Sequence, residues 1–217
     1  MPEWDSILDE LQIASIKTTS ADYTILDDDH YTEVWITTGA SDITITLPTL
    51  ADNADRKIKI RKVDSGAGTV IVDGEGSETI NGETTHTIYN QYGWADVIAG
   101  SSEWIAEFDP ADHEPWTAVT YINSWVDFSA TIRSEYFKDN LGFVHLRLGC
   151  KNGSTDYPFV MPAGYRPGID YQKVINSVPD GTTIVPAIQI GTDGIAVFAN
   201  YSTSYCIDGE IIYRAEN

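Results

Sequence analysis

Between residues 23 and 108, apolar and polar side chains alternate with a period of two. Glu33-Val34-Trp35-Ile36-Thr37, Asp42-Ile43-Thr44-Ile45-Thr46-Leu47 and Lys57-Ile58-Lys59-Ile60-Arg61-Lys62-Val63 each sort their side chains onto two faces of an extended chain, which predicts half-buried strands. The Lys and Arg side chains of the third segment are all expected on its outward face. Gly39-Ala40-Ser41, Asp73-Gly74-Glu75-Gly76 and Asn81-Gly82 read as turns, because Asn-Gly and Asp-Gly pairs favour the positive φ angles of tight hairpins. Short strands ending in Trp94-Ala95-Asp96-Val97-Ile98 and Glu103-Trp104-Ile105-Ala106 complete an expected meander over residues 21–108. No coil repeat is visible in it.

The pattern changes at both ends of this segment. Upstream, Trp4, Ile7, Leu8 and Leu11 recur at helical spacing behind Pro2, which predicts a short amphipathic helix in an anchor segment, 1–20. A helix of about a dozen residues is marginal alone, so its apolar stripe needs a partner, either its own domain or a docking protein. Downstream, Asp109-Pro110-Ala111-Asp112-His113-Glu114-Pro115 reads as a linker, 109–115. Residues 116–217 hold longer, more aromatic strands, expected at 130–138, 143–148, 171–178, 182–190, 195–199 and 205–213. Turns are expected at 139–142, 180–181, 192–194 and 208–209, which together predict a jelly-roll-like β-sandwich. The fold class is therefore all-β, a small collar followed by a head domain.

Composition sharpens this picture. The 217 residues suffice for two domains, and 42% apolar with 21% charged residues is ordinary globular usage. The formal charge is −20, divided as −17 over residues 1–115 and −3 over 116–217. A chain so acidic lacks the basic footprint that phosphate contacts need, so nucleic acid is not an expected partner. No apolar run of eighteen residues occurs and the N-terminus is acidic, so neither membrane insertion nor a secretory signal is expected. Cys150 and Cys206 are too few for a disulfide framework and are read as reduced strand residues.

The run from Tyr31 to Glu107 resembles a β-rich shaft or collar module of bacteriophage tail fibres. The resemblance rests on Ile45-Thr46-Leu47-Pro48, Ala51-Asp52-Asn53-Ala54 leading to Arg56 and Ile58, Val72-Asp73-Gly74 leading through Gly76-Ser77-Glu78-Thr79-Ile80 to Gly82, Asn90-Gln91-Tyr92, and Trp104-Ile105. The second half is similar to C-terminal head domains of phage receptor-binding proteins. Asn123-Ser124-Trp125-Val126, Tyr136-Phe137-Lys138-Asp139, Gly142-Phe143-Val144-His145-Leu146-Arg147 and Met161-Pro162-Ala163-Gly164-Tyr165-Arg166-Pro167 carry that likeness. The resemblance implies a homotrimeric virion fibre, assembled in the host cytoplasm, whose N-terminus meets other virion proteins in tail or capsid. Its distal domain would meet a host cell-surface glycan or protein. About 20 residues precede the first module, fewer than such fibres usually carry, which makes a head fibre or decoration protein the alternative expectation. Period-two strands of this kind are further expected to close their faces between sister copies.

No enzyme is expected, since none of His30, His86, His113 and His145 sits in a catalytic motif. His145 lies mid-strand, with Phe143 and Arg147 on its face and Val144 and Leu146 on the other. Asp27-Asp28-Asp29-His30 is poorly shaped for one ion, because consecutive residues in extended chain point apart. The acidic turns at 73–78 lack calcium-loop spacing, so neither metal nor cofactor is expected. The candidate receptor-binding residues are Tyr157, Asn200, Tyr201 and Tyr205, in polar, aromatic loops without strand periodicity. Trp4, Ile7, Leu8 and Leu11 are the candidate anchoring residues, and Trp116 and Trp125 are expected to staple the domain or the trimer.

Overall fold

The computed structural model describes residues 15–178, 186–200 and 206–216. The expected helix with Trp4, Ile7, Leu8 and Leu11, the turn at 180–181, and Tyr201 and Tyr205 lie outside the described residues. The chain divides into two compact units between His113 and Glu114.

The first unit is a two-sheet coil rather than a meander. Its strands are β1 (Ile16–Thr19), β2 (Tyr23–Thr24), β3 (Glu33–Ile36), β4 (Ile43–Thr46), β5 (Lys57–Lys62), β6 (Val70–Asp73), β7 (Thr85–Ile88), β8 (Trp94–Ala99) and β9 (Trp104–Phe108). One sheet runs β1-β3-β5-β8-β9 and the other β2-β4-β6-β7. The chain crosses between them at every step from β1 to β6, so like strands stack parallel: β1 on β3 on β5, and β2 on β4 on β6. Parallel neighbours need a long crossover, and here the crossover is a strand of the opposite sheet. Three coils result, closed by the antiparallel strands β7, β8 and β9. The coil repeat was invisible in sequence because Ile16 aligns with Glu33 but Glu33 aligns with Lys59, so successive coils differ in length. β1 lies inside the segment expected as an anchor and is the first strand of this unit among the described residues.

The inward side chains of the two sheets, among them Val34, Ile36, Ile45, Ile58, Ile60, Val70, Val72 and Trp104, form one buried cluster. Each fully buried aliphatic side chain contributes roughly 1.5–3 kcal/mol. The faces therefore close within a single chain, contrary to the expectation that sister copies must cover them.

The corner between sheets sets the stacking. Asp64 accepts backbone N–H bonds from Thr38 (3.0 Å) and Gly39 (2.9 Å), and Gly39 O accepts from Gly68 N at 3.1 Å. A Cβ on Gly66 would lie 2.0 Å from Gly39 O, and one on Gly68 would lie 2.1 Å from Ser41 O, so successive corners touch backbone to backbone. Lys62 departs from the outward face expected for it: its side chain is fully buried, and Nζ donates to Asp64 O, Asp64 Oδ1 and Gly66 O at 2.9–3.1 Å. At Asn81-Gly82 the expected tight turn is present, with φ of 51° and 88°. The segment expected as a linker is partly docked on this unit: Asp112 is 1% exposed and accepts from Tyr89 N, Asn90 N and Asn90 Nδ2.

The second unit packs two antiparallel sheets around its own core. Its strands are β10 (Thr117–Ala118), β11 (Val126–Asp127), β12 (Glu135–Lys138), β13 (Phe143–Lys151), β14 (Tyr171–Val174), β15 (Asn176–Val178), β16 (Ala187–Ile190), β17 (Ala196–Ala199) and β18 (Cys206–Arg214). A six-stranded sheet runs β10-β12-β13-β18-β15 with β11 on β13, and a three-stranded sheet runs β14-β16-β17. The strand expected over 171–178 breaks at the buried Ile175 and passes from one sheet to the other. Val144, Leu146, Leu148, Ile188, Ile190, Phe198 and Ile211 fill the space between, with Cys150 and Trp125.

Two turns behave as expected. Gly142 (φ 80°) follows Asp139, whose Oδ1 accepts from Leu141 N and Phe143 N, and Gly194 (φ 85°) donates to Gly191 O. The turn expected at Asp208-Gly209 is absent, because β18 continues through it with Gly209 opposite Leu148. Gly209 serves close packing instead, as its Cβ would stand 3.1 Å from Ile175.

Candidate functional site

One end of the second unit gathers three polar loops: Ile122–Ser124, Asn152–Tyr157, and Ala199-Asn200 after β17. Four of the seven positive-φ residues other than glycine that occur among the described residues sit here, Asn123 (54°), Ser124 (62°), Asn152 (66°) and Asn200 (53°). Asn tolerates the left-handed region because its short amide bonds locally, and strained backbone of this kind clusters where loops are held for a purpose.

The loops are fastened from beneath. Trp125 is 3% exposed, and its Nε1 donates to Thr155 O at 2.9 Å. Its indole occupies the place where a Cβ on Gly153 would stand, 1.8 Å away, so only glycine lets the second loop pass over the ring. The Asn123 amide donates to Tyr157 O at 2.9 Å, Ser154 N donates to Asn123 O at 2.8 Å, and Ile122 N donates to Pro158 O at 2.8 Å. Phe198 N donates to Asp156 O at 2.8 Å, and Phe198 packs on Trp125 with centroids 5.1 Å apart. This bond brings Tyr157, 43% exposed, to the same end as the exposed Asn200, two residues beyond Phe198. Of the four expected receptor-binding residues, the structure thus places two together. Asn123 and Asn152 join them; the signals that could have found them are the turn-forming pairs Asn123-Ser124 and Asn152-Gly153.

A phenol, several amides and hydroxyls on a rigid base offer hydrogen bonds and one flat ring, the chemistry of recognition. Elsewhere the ionisable clusters are occupied with the fold. Asp29 accepts from the Tyr23 hydroxyl and from Leu26 N, and the Tyr23 bond, ahead of its neighbouring charges, holds its carboxyl below the usual range. Asp27 accepts from the Asn53 amide at 2.7 Å, while the Arg56 guanidinium donates to Leu26 O and Asp29 O. The acidic run is a clamped loop, and no cluster of three metal-ligating side chains exists among the described residues. His145 bonds Asp139 through Nε2 at 3.0 Å and stacks on Phe137 with 4° between planes, and the expected alternation of its strand is present. Trp116 meets Phe137 edge-on at 4.5 Å and carries Arg147 over its ring at 4.4 Å, while Trp125 is the staple of the loop end.

No protein-family model matches this chain, and no curated protein matches it.

Proposed function

We propose that the chain is a structural component of a bacteriophage virion, a short trimeric fibre whose second unit attaches to a host surface through the loop end. The observation that carries this reading is the fastening of Tyr157, Asn123, Asn152 and Asn200 by a buried tryptophan at one end of a β-sandwich. Rigid loops bind at lower entropic cost, and aromatic plus amide side chains suit glycan or protein contact. The collar-like sequence of the first unit and its stacked coils support the fibre, since strands stacked parallel make a stiff spacer. Recognition by such loops needs no covalent chemistry, cofactor or metal.

Binding of labelled full-length protein to bacterial cells and a glycan array tests the reading. Saturable, competable binding that weakens about tenfold or more in Tyr157→Ala is expected, as for loss of a central aromatic contact. Absence of binding across plausible hosts, in protein that co-purifies with particles, points instead to a head fibre or decoration protein without receptor recognition.

A further inference from the structure

The chain holds two Asn-Gly pairs, Asn81-Gly82 in the first unit and Asn152-Gly153 at the loop end of the second. Such a pair can react with itself. Once the glycine N–H has lost its proton, the nitrogen attacks the asparagine Cγ and ammonia leaves. The five-membered imide so formed takes up water and opens to aspartate or to isoaspartate. Glycine permits the approach because it carries no Cβ to obstruct it.

The fold treats the two pairs differently, although both asparagines are exposed and left-handed, with φ of 51° and 66°. The Asn81 amide is pinned at both atoms: Nδ2 donates to Ala106 O at 2.8 Å, and Oδ1 accepts from Ala106 N at 3.0 Å. Gly82 N donates to Glu103 Oε2 at 2.7 Å, so a deprotonated nitrogen there would face a carboxylate, and like charges oppose it. The turn is closed besides by Ile80 N to Glu83 O at 2.6 Å and Glu83 N to Ile80 O at 3.1 Å. By contrast, neither the Asn152 amide nor the Gly153 N–H makes a hydrogen bond among the described residues. Gly153 is buried against the Trp125 ring, but with no bond at its N–H to break, a local opening exposes it at little cost. Ring closure at Asn81 must give up three hydrogen bonds, one of them to a carboxylate, which corresponds to on the order of a hundredfold in rate. At Asn152 it gives up none.

We infer that Asn152 is a site of self-modification, converting to aspartate and isoaspartate while Asn81 is preserved. The change replaces a neutral amide by a carboxylate, two residues from the nearest bonded hydroxyl of the loop, Ser154. Isoaspartate also routes the backbone through Cγ and so lengthens it by one methylene just ahead of Ser154. Ser154 N and Oγ both donate to Asn123 O, at 2.8 and 3.0 Å, and the Asn123 amide holds Tyr157 O. Conversion therefore disturbs the fastening of the loop end, and the age of the molecule sets how well it attaches. This consequence rests on the loop-end reading; the modification itself does not.

Peptide mass mapping of the full chain, aged at pH 8 both folded and in urea, tests the proposal. In urea the two pairs are expected to convert at similar rates. In the folded protein Asn152 should convert about tenfold or more faster than Asn81. An isoaspartate-specific methyltransferase should label aged wild type and leave aged Asn152→Gln unlabelled. A folded chain in which Asn152 stays intact, or is lost no faster than Asn81, overturns the proposal, as does label that persists in Asn152→Gln. In protein that binds cells when fresh, the converted fraction, separated by ion exchange, should bind about tenfold more weakly. Equal binding by the two fractions overturns the effect on attachment. Conversion at Asn152 in a chain that never binds cells counts against the loop-end reading alone.

Discussion

The imidazole of His86 stacks on Phe108 with centroids 3.4 Å apart and 11° between planes, and its Nε2 is buried without a hydrogen-bond partner. Burial lowers its pKa from 6.5 to about 4. The folded protein therefore keeps His86 neutral, while the unfolded chain takes up a proton near pH 6.5. Stability from this residue is present above pH 6.5 and falls as pH drops towards 4, by at most about 3 kcal/mol. In urea unfolding at pH 7 and pH 4.5, the wild type should lose more stability than His86→Phe, which keeps a ring against Phe108 and removes the proton site. Equal losses would contradict this account of the residue.

Within the coil, the corner built by Lys62 and Asp64 decides whether coils stack. Burial penalises the charge of Asp64, but the N–H groups of Thr38 and Gly39 and the Lys62 ammonium hold its carboxyl well below the usual range. Replacing Asp64 by Ala leaves a fully buried ammonium with carbonyl acceptors but no counter-charge, and takes the acceptor from the backbone N–H groups of Thr38, Gly39 and Gly66. A loss of about 3–5 kcal/mol is expected from a broken buried pair, read as a lower urea midpoint for the first unit, while Lys62→Met should cost less. Alternation marked β3, β4 and β5 correctly, because period two reports which side chains are buried. It does not report which strand lies alongside, so the same pattern served an expected meander and an observed coil. Lys62 keeps the alternation of burial but takes an inward position, because its three donors find oxygens inside the corner, and the nearby Ser65-Gly66-Ala67-Gly68 was the available sign of close backbone contact. In the second unit, Asp208-Gly209 carries the composition of a turn, yet glycine there makes room for Ile175. The loop end was legible in part: Tyr157 and Asn200 stood out as polar, aromatic loop residues. The buried Trp125 that fastens them depends on packing that sequence spacing does not contain.

For the whole molecule, each unit closes its own core, so burial within a strand does not require sister copies. The proposed trimer and its proposed place on a particle rest on resemblance to phage fibres and on the suitability of a coil and a loop-ended sandwich for reaching and holding a surface. The measurement that tests this most directly is cryo-electron microscopy of virions from a phage whose genome encodes the chain. The account predicts density for three copies around one axis, with the second unit and its Tyr157 end farthest from the particle. Virions lacking the chain, or carrying it with the loop end buried against capsid or tail, would contradict it.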